Sequence, residues 1–380
     1  MSSIASSTSA PTPTGDGAHV QYELIDCDIH HMLPSQAALS PYLSERWQRY
    51  HERFGLRQVL ETQYWVTTTH VQAARVDAFP PSGLPPGSDL DFLRFQLLDH
   101  WGISYGILNV TEVFIFSAQR GEYGAVLTRA INDFTRAEWL DREPRLRSSI
   151  AVTADNHEAA VTEIERLSPD SRFVQVLMTL RNEAPMGNRR YWPIYRAAAD
   201  AGLPIAVHVG GIAGHPPSGA GWFSYYFEMH AGHIQAFQAH TASLVLSGVF
   251  DEIPDLKIVF VEGGFSWAVP LAWRLDRLQR VLGEEVPDLR QQPSQYLRNF
   301  WFTTQPIEEP GRPDQFIAMV DALDLGDRLL FATDYPHWDF DAPDQALPRG
   351  LTPEARQKIY NGNARALYRL PDAPVEQSAG

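Results

Sequence analysis

The sequence predicts a (β/α)8 barrel (a TIM barrel) on three observations. Eight short β-rich runs recur along the chain, helical patterns fill the gaps between them, and no glycine-rich phosphate loop follows the first run. The runs are Tyr22–Ile29, Tyr105–Val110, Ser148–Thr153, Phe173–Met178, Pro204–Val209, Lys257–Glu262, Asn299–Thr304 and Arg328–Thr333. Several are almost wholly apolar, as parallel strands covered on both faces should be. An open doubly wound sheet is the competing arrangement, and the missing phosphate loop argues against it.

The helices follow in order. Tyr123–Arg142 carries apolar residues at Val126, Ala130, Phe134 and Ala137. Asp155 is placed to cap a helix running through Leu167, and Arg189–Ala201 stops at Gly202. Ser266–Leu282, Pro313–Leu323 and Thr352–Leu370 complete the set, the last with Thr352 as N-cap and Pro353 at the first helical position. Two insertions interrupt the alternation. Residues 31–100 separate the first two strands and look helical near Tyr42–Phe54; residues 210–230 follow the fifth strand. Both insertions should lie over the C-terminal mouth of the barrel as lids or walls.

Composition narrows the class. The 380 residues are 44% hydrophobic, enough for one large core or two ordinary domains, and the net charge of -15 argues against a nucleic-acid or anionic-membrane partner. Cys27 is the single cysteine, which fits a reducing, cytoplasmic setting. Residues 1–18, rich in Ser, Thr, Pro, Ala and Gly, read as a disordered tail and not as a signal peptide, and 371–380 as a second tail. The barrel domain then spans 19–370. No uninterrupted apolar run approaches membrane-spanning length.

The chemistry gathers at strand ends. In Asp26-Cys27-Asp28-Ile29-His30-His31, Asp28 and His30 are two apart on a strand and project to the same side. His208 ends the fifth run, Glu262 ends the sixth, and Asp334 follows the eighth. Barrel enzymes carry catalytic groups at these ends. Each residue alone reads as a polar strand cap; together they have the carboxylate–imidazole composition of a divalent metal site. Further candidate ligands are His31, His337, His230 and His233, whereas His240 reads as a helix residue and Glu228 has no supporting motif. Arg181 suits either a substrate carboxylate or an ion pair. The aromatic residues Trp222, Phe223, Tyr225, Tyr226 and Phe227 read as packing or a subunit contact more than as a substrate wall.

These motifs give the chain its resemblance. It resembles the amidohydrolase-related family that includes aminocarboxymuconate-semialdehyde decarboxylase and the resorcylate decarboxylases. The likeness rests on the Asp-x-His pair, the strand-five His, Ser247-Gly-Val-Phe-Asp-Glu-Ile-Pro-Asp-Leu-Lys, Thr333-Asp-Tyr-Pro-His and Asn361-Gly-Asn-Ala-Arg. It implies that Asp28, His30, His208 and Asp334 are metal ligands. One departure stands out: the family's decarboxylases have a His where this chain has Glu262. Glu262-Gly-Gly-Phe-Ser-Trp, Thr303-Thr-Gln-Pro-Ile-Glu-Glu-Pro and Asp334-Tyr-Pro-His-Trp-Asp-Phe-Asp are similar to the hydroxylase branch, represented by the α-aminoisobutyrate hydroxylase subunits. That branch implies oxygen activation at an iron-containing dinuclear centre and pairing with a paralogous subunit.

Three functions are therefore expected, in order. The first is an O2-using hydroxylase of a small organic substrate, with two iron or manganese ions on Asp28, His30, His208, Glu262, Asp334 and His337. The second is a mononuclear zinc or manganese hydrolase or non-oxidative decarboxylase, with the ion on Asp28, His30, His208 and Asp334 and with Glu262 as the acid–base group; Glu262 and Asp334 are the catalytic candidates. The third is a metal-holding, non-catalytic partner subunit in a homo- or hetero-oligomer.

Overall fold

Eight parallel strands pair strictly in chain order in the computed structural model, which describes residues 21–56, 74–119, 121–211, 218–322 and 324–372. The strands are β1 (Leu24–Ile29), β2 (Ile103–Leu108), β3 (Leu146–Ala151), β4 (Phe173–Arg181), β5 (Ile205–Gly211), β6 (Ile258–Val261), β7 (Phe300–Thr303) and β8 (Leu329–Leu330). Backbone bonds close the ring between β8 and β1: Cys27 N donates to Phe331 O at 2.9 Å, and Asp334 N donates to Asp28 O at 3.1 Å. This is the (β/α)8 barrel the strand periodicity predicts. Leu24, Ile29, Val176, Leu177, Val207, Phe260 and Phe302 are fully buried, because the strands are covered on both faces.

All eight predicted runs form strands, with shifted ends. The largest difference is β8, where Phe331–Thr333 leave the ladder. Their amides find other acceptors: Ala332 N bonds Thr304 Oγ1 at 3.2 Å, and Thr333 N bonds Asp26 Oδ1 at 3.0 Å. Side-chain acceptors satisfy the backbone there, so no strand is needed.

The helices used below are α1 (Glu45–Phe54), α2 (Glu122–Thr135), α3 (His157–Leu167), α4 (Trp192–Asp200), α5 (Tyr226–Leu246), α6 (Ala268–Leu282), α7 (Pro313–Asp321) and α8 (Asn363–Tyr368). The cap of α3 is Asn156 and not Asp155; its side chain accepts from Ala159 N at 3.2 Å. Thr352 caps the final helical segment as predicted, accepting from Ala355 N at 3.2 Å. α5 went unread in the sequence because its apolar residues are spread around the helix. The expected terminal tail 1–18 and residues 373–380 lie outside the described residues, as do parts of both insertions. No helix among the described residues is long and apolar enough to cross a membrane.

Candidate metal centre

β1 ends with Asp28 and His30 on one side of the strand, and both are buried. Around them the barrel brings His208 from β5, Glu262 after β6, and Asp334 and His337 after β8. His30 Nε2 lies 3.5 Å from Asp28 Oδ1, 3.8 Å from Glu262 Oε1 and 2.9 Å from Asp334 Oδ1. His208 Nε2 lies 3.6 Å from Asp28 Oδ2 and 3.5 Å from Glu262 Oε2. His337 Nδ1 lies 2.7 Å from Asp334 Oδ1 and 3.5 Å from Glu262 Oε1. Two overlapping donor groups result: Asp28, His30, His208 and Glu262, and His30, Glu262, Asp334 and His337.

The donors are prepared for a cation. His30 Nδ1 donates to Asn109 O at 2.9 Å, and His208 Nδ1 donates to Val209 O at 2.8 Å. Each bond puts the proton on Nδ1 and turns the Nε2 lone pair toward the carboxylates. His30 Nε2, 2.9 Å from Asp334 Oδ1, and His208 Nε2, 3.5 Å from Glu262 Oε2, are buried without a well-aligned hydrogen bond, as is Asp28 Oδ2. Buried polar atoms rarely stay so unless something else binds them. This donor set fits a divalent ion of the manganese, iron or zinc type.

Two of the carboxylates sit on unusual backbone. Glu262 has φ 56° and Asp334 has φ 61°, in the left-handed region that costs a side-chain-bearing residue energy. The loop after Glu262 is tied down by Glu308, whose Oε1 accepts from Ser266 N at 3.1 Å and Ser266 Oγ at 2.6 Å. Asp334 is tied through Thr333, whose hydroxyl donates to Asp26 Oδ2 at 2.5 Å.

The cluster attracts positive charge. Burial alone would lower the His30 pKa, but Asp28, Asp334 and Glu262 override it and hold the imidazole well above its usual value. Burial likewise opposes protonation of His337, and Asp334 with Glu262 lifts it to about 10. Asp334 itself is pushed up to about 7 by burial and the neighbouring Glu262 charge. A bound cation would take the place of these protons.

Other candidate ligands do not join. His31 points to the opposite side of the chain from His30, bonds Thr135 Oγ1 at 2.6 Å and packs on Trp139. His230 Nε2 bonds Asp339 Oδ2 at 3.0 Å, and Gln305 Nε2 holds the same oxygen at 2.9 Å. His233 is pushed down to about 4, by burial first and then by Arg181. His240 is a packing residue, bonded to Leu180 O at 2.7 Å. Glu228 caps α5, accepting from Ser224 N at 2.9 Å. Arg181 ends β4, half-buried. The aromatic group divides: Phe223 is buried against Gly232, Tyr226 takes a hydrogen bond from Trp338 Nε1 at 3.0 Å, and Tyr225 and Phe227 are exposed.

Sequence reasoning missed Asn109, Glu308 and Asp339. Asn109 directly follows β2, and that strand-end position was the available signal. Its amide donates to Asp28 Oδ1 at 2.8 Å while its carbonyl orients His30. Glu308 and Asp339 stood in quoted motifs, yet nothing local says what they touch.

An amidohydrolase family model matches residues 25–370. The chain belongs to that family. A γ-resorcylate decarboxylase from Polaromonas sp. is 26% identical to this amidohydrolase over 302 residues, covering 74% of this chain and 88% of that protein. Among solved structures, a dihydroxybenzoic acid decarboxylase from Polaromonas sp., with bound manganese and 2-nitroresorcinol, matches with a TM-score of 0.62. It shares 20% identity and covers 92% of this chain and 98% of that one. A 5-carboxyvanillate decarboxylase from Novosphingobium aromaticivorans, with manganese, matches at TM-score 0.67 and 16% identity, covering 92% and 97%. These structural matches support the barrel. The relatives' names are those of decarboxylases, so the leading expectation of a hydroxylase receives no support from them.

Proposed function

We propose that this amidohydrolase is a metal-dependent, non-oxidative decarboxylase of a small hydroxyaryl carboxylic acid. The relationship to the γ-resorcylate decarboxylase over 302 residues carries the reaction class. Asp28, His30, His208 and Asp334 would hold a divalent ion, manganese being the ion in the two related structures named above. Such an ion supplies Lewis-acid polarisation of the substrate's oxygens. The carbon–carbon bond to the carboxylate breaks, CO2 leaves, and the electron pair remains on the ring carbon, which takes a proton.

This chain's residues would manage charge and that proton. Asp28, Glu262 and Asp334 bring three negative charges when ionised. One divalent ion and a protonated His337 would balance them, letting an anionic substrate enter. Asp334 is the assigned acid–base group facing the ring carbon, drawing the proton it passes on from the protonated His337 at 2.7 Å. Glu262 would stand in for the family's histidine and fix the protonation of His208 and His337.

One observation favours a second reading, the oxygen-activating dinuclear centre. Glu262 turns Oε2 toward His208 and Oε1 toward His30 and His337, one oxygen to each donor group. A bridging carboxylate between two ions would be arranged so.

The test is turnover of 2,6-dihydroxybenzoate and 5-carboxyvanillate by the manganese-loaded protein with oxygen removed. CO2 release at the same rate with and without oxygen is expected. Activity that requires oxygen, with two ions per chain, would replace this reading with the second one.

A further inference from the structure

The metal centre occupies the C-terminal mouth of the barrel. At the opposite mouth, where β5 to β8 begin, lies a cleft of about 620 Å³. Four cationic side chains line it: Lys257 before β6, Arg298 before β7, Arg328 before β8, and Arg369 after α8. The chain carries a net charge of -15, so such a concentration of cations is against its general trend. None of the four has an ion-pair partner within 4.0 Å among the described residues, although Asp200 and Asp255 also line the cleft. Burial lowers the pKa of Lys257, and Arg369 and Arg328 lower it further, with Asp255 offsetting part of the effect.

The cleft is built and not incidental. Trp301 of β7 lines it, with the Arg328 guanidinium 4.4 Å and the Lys257 ammonium 6.0 Å from the ring centroid. Arg369 sits on left-handed backbone at φ 54°, which turns the chain sharply at the end of α8. Its guanidinium lies against Gly202, where a Cβ would meet Nη1 at 2.8 Å and Nη2 at 3.0 Å. Gly202, at φ 70°, therefore serves both the turn after α4 and the seating of Arg369.

We propose that this cleft is a binding site for a small polyanion of the phosphate class, separate from the metal centre. Guanidinium forks match phosphate oxygens in pairs, and the ammonium adds a compact charge. The volume falls in the range of small-ligand pockets. The Trp301 face is already covered by a cation, so recognition is of charge and not of an aromatic base. The inference does not depend on which reaction the metal centre performs.

Calorimetric titration with inorganic pyrophosphate tests it on the intact, metal-loaded chain. The comparison protein is the Arg328→Gln, Arg369→Gln double variant, with Lys257→Gln as a second, milder variant. Pyrophosphate bound by the metal is common to all three, so the difference isolates the cleft. Each lost charge-assisted contact should weaken the cleft's binding step about tenfold. Metal content and circular dichroism should stay as in the parent. Equal titration curves for parent and variants would overturn the proposal. A change of oligomeric state in the variants without a change in pyrophosphate binding would overturn it too, and would assign the cleft to the acidic surface of a second copy.

Discussion

Glu262 and Asp334 face each other across one imidazole: His337 Nδ1 lies 3.5 Å from the first carboxylate and 2.7 Å from the second. Both carboxylates sit on left-handed backbone, Glu262 directly after β6 and Asp334 four residues after β8. The β6 and β8 ends thus turn their acidic groups inward to the same point, which β1 and β5 complete with His30 and His208.

Replacing His208 with Ala should remove most of the bound metal while the fold persists. The His208 Nε2 is a buried donor atom with no hydrogen-bond partner, and the barrel core does not rest on it. Elemental analysis of the purified variant reads the metal, and circular dichroism reads the fold. Full metal stoichiometry in His208→Ala would remove this residue from the donor set.

Glu262→Gln separates the two readings of the centre. With one ion, the variant should keep its metal and lose rate by about 10²–10⁴, the usual worth of an acid–base group. With two ions bridged by Glu262, it should lose about half of its metal. Metal per chain and turnover, measured on the same preparation, decide between them.

Asn109→Ala should weaken metal binding without touching a ligand. The amide that donates to Asp28 Oδ1 at 2.8 Å disappears, while the carbonyl that holds His30 remains. Losses of this kind run at about 10–100-fold in affinity. Competition against a chelator measures it, and an unchanged affinity would show that Asp28 needs no such support.

Glu112 should make stability depend on pH. It is buried, accepts from Leu33 N at 2.6 Å through Oε1, and has no hydrogen-bond partner for Oε2. Burial raises its pKa from 4.5 to about 7. A folded-state pKa above the unfolded value favours the protonated, folded form. The stability it contributes is complete below pH 4.5 and is lost as pH rises through about 7. Glu112→Gln should flatten that part of the melting-temperature profile, because the amide cannot ionise. A profile identical to the parent's would show that Glu112 does not titrate there.

Gly264→Ala should destabilise the loop that presents Glu262. Gly264 has φ 58°, and a Cβ would lie 2.7 Å from Glu308 Oε1. The backbone penalty alone is about 1–2 kcal/mol, and the displaced Glu308 would release Ser266. Activity should fall together with melting temperature, as thermal unfolding and initial rates will read.

The sequence by itself determined the barrel and where along the chain to look for its centre. Eight apolar runs separated by helical patterns admit few parallel arrangements, and the polar residues at their ends mark one mouth. Period two placed Asp28 beside His30, a relationship that local geometry alone enforces. Local geometry also sets His31 opposite, but the sequence did not say which of several nearby imidazoles would reach the centre. That was decided by the tertiary structure, since it depends on helix α5 and on the turn after β8. His230 and His233 lie on α5, where packing takes one to Asp339 and buries the other near Arg181. His337 is returned to the centre by the left-handed turn at Asp334. Asn109, Glu308 and Asp339 were illegible for the same reason: their partners lie far away in the chain, and contacts across the barrel exist only once the strands have closed.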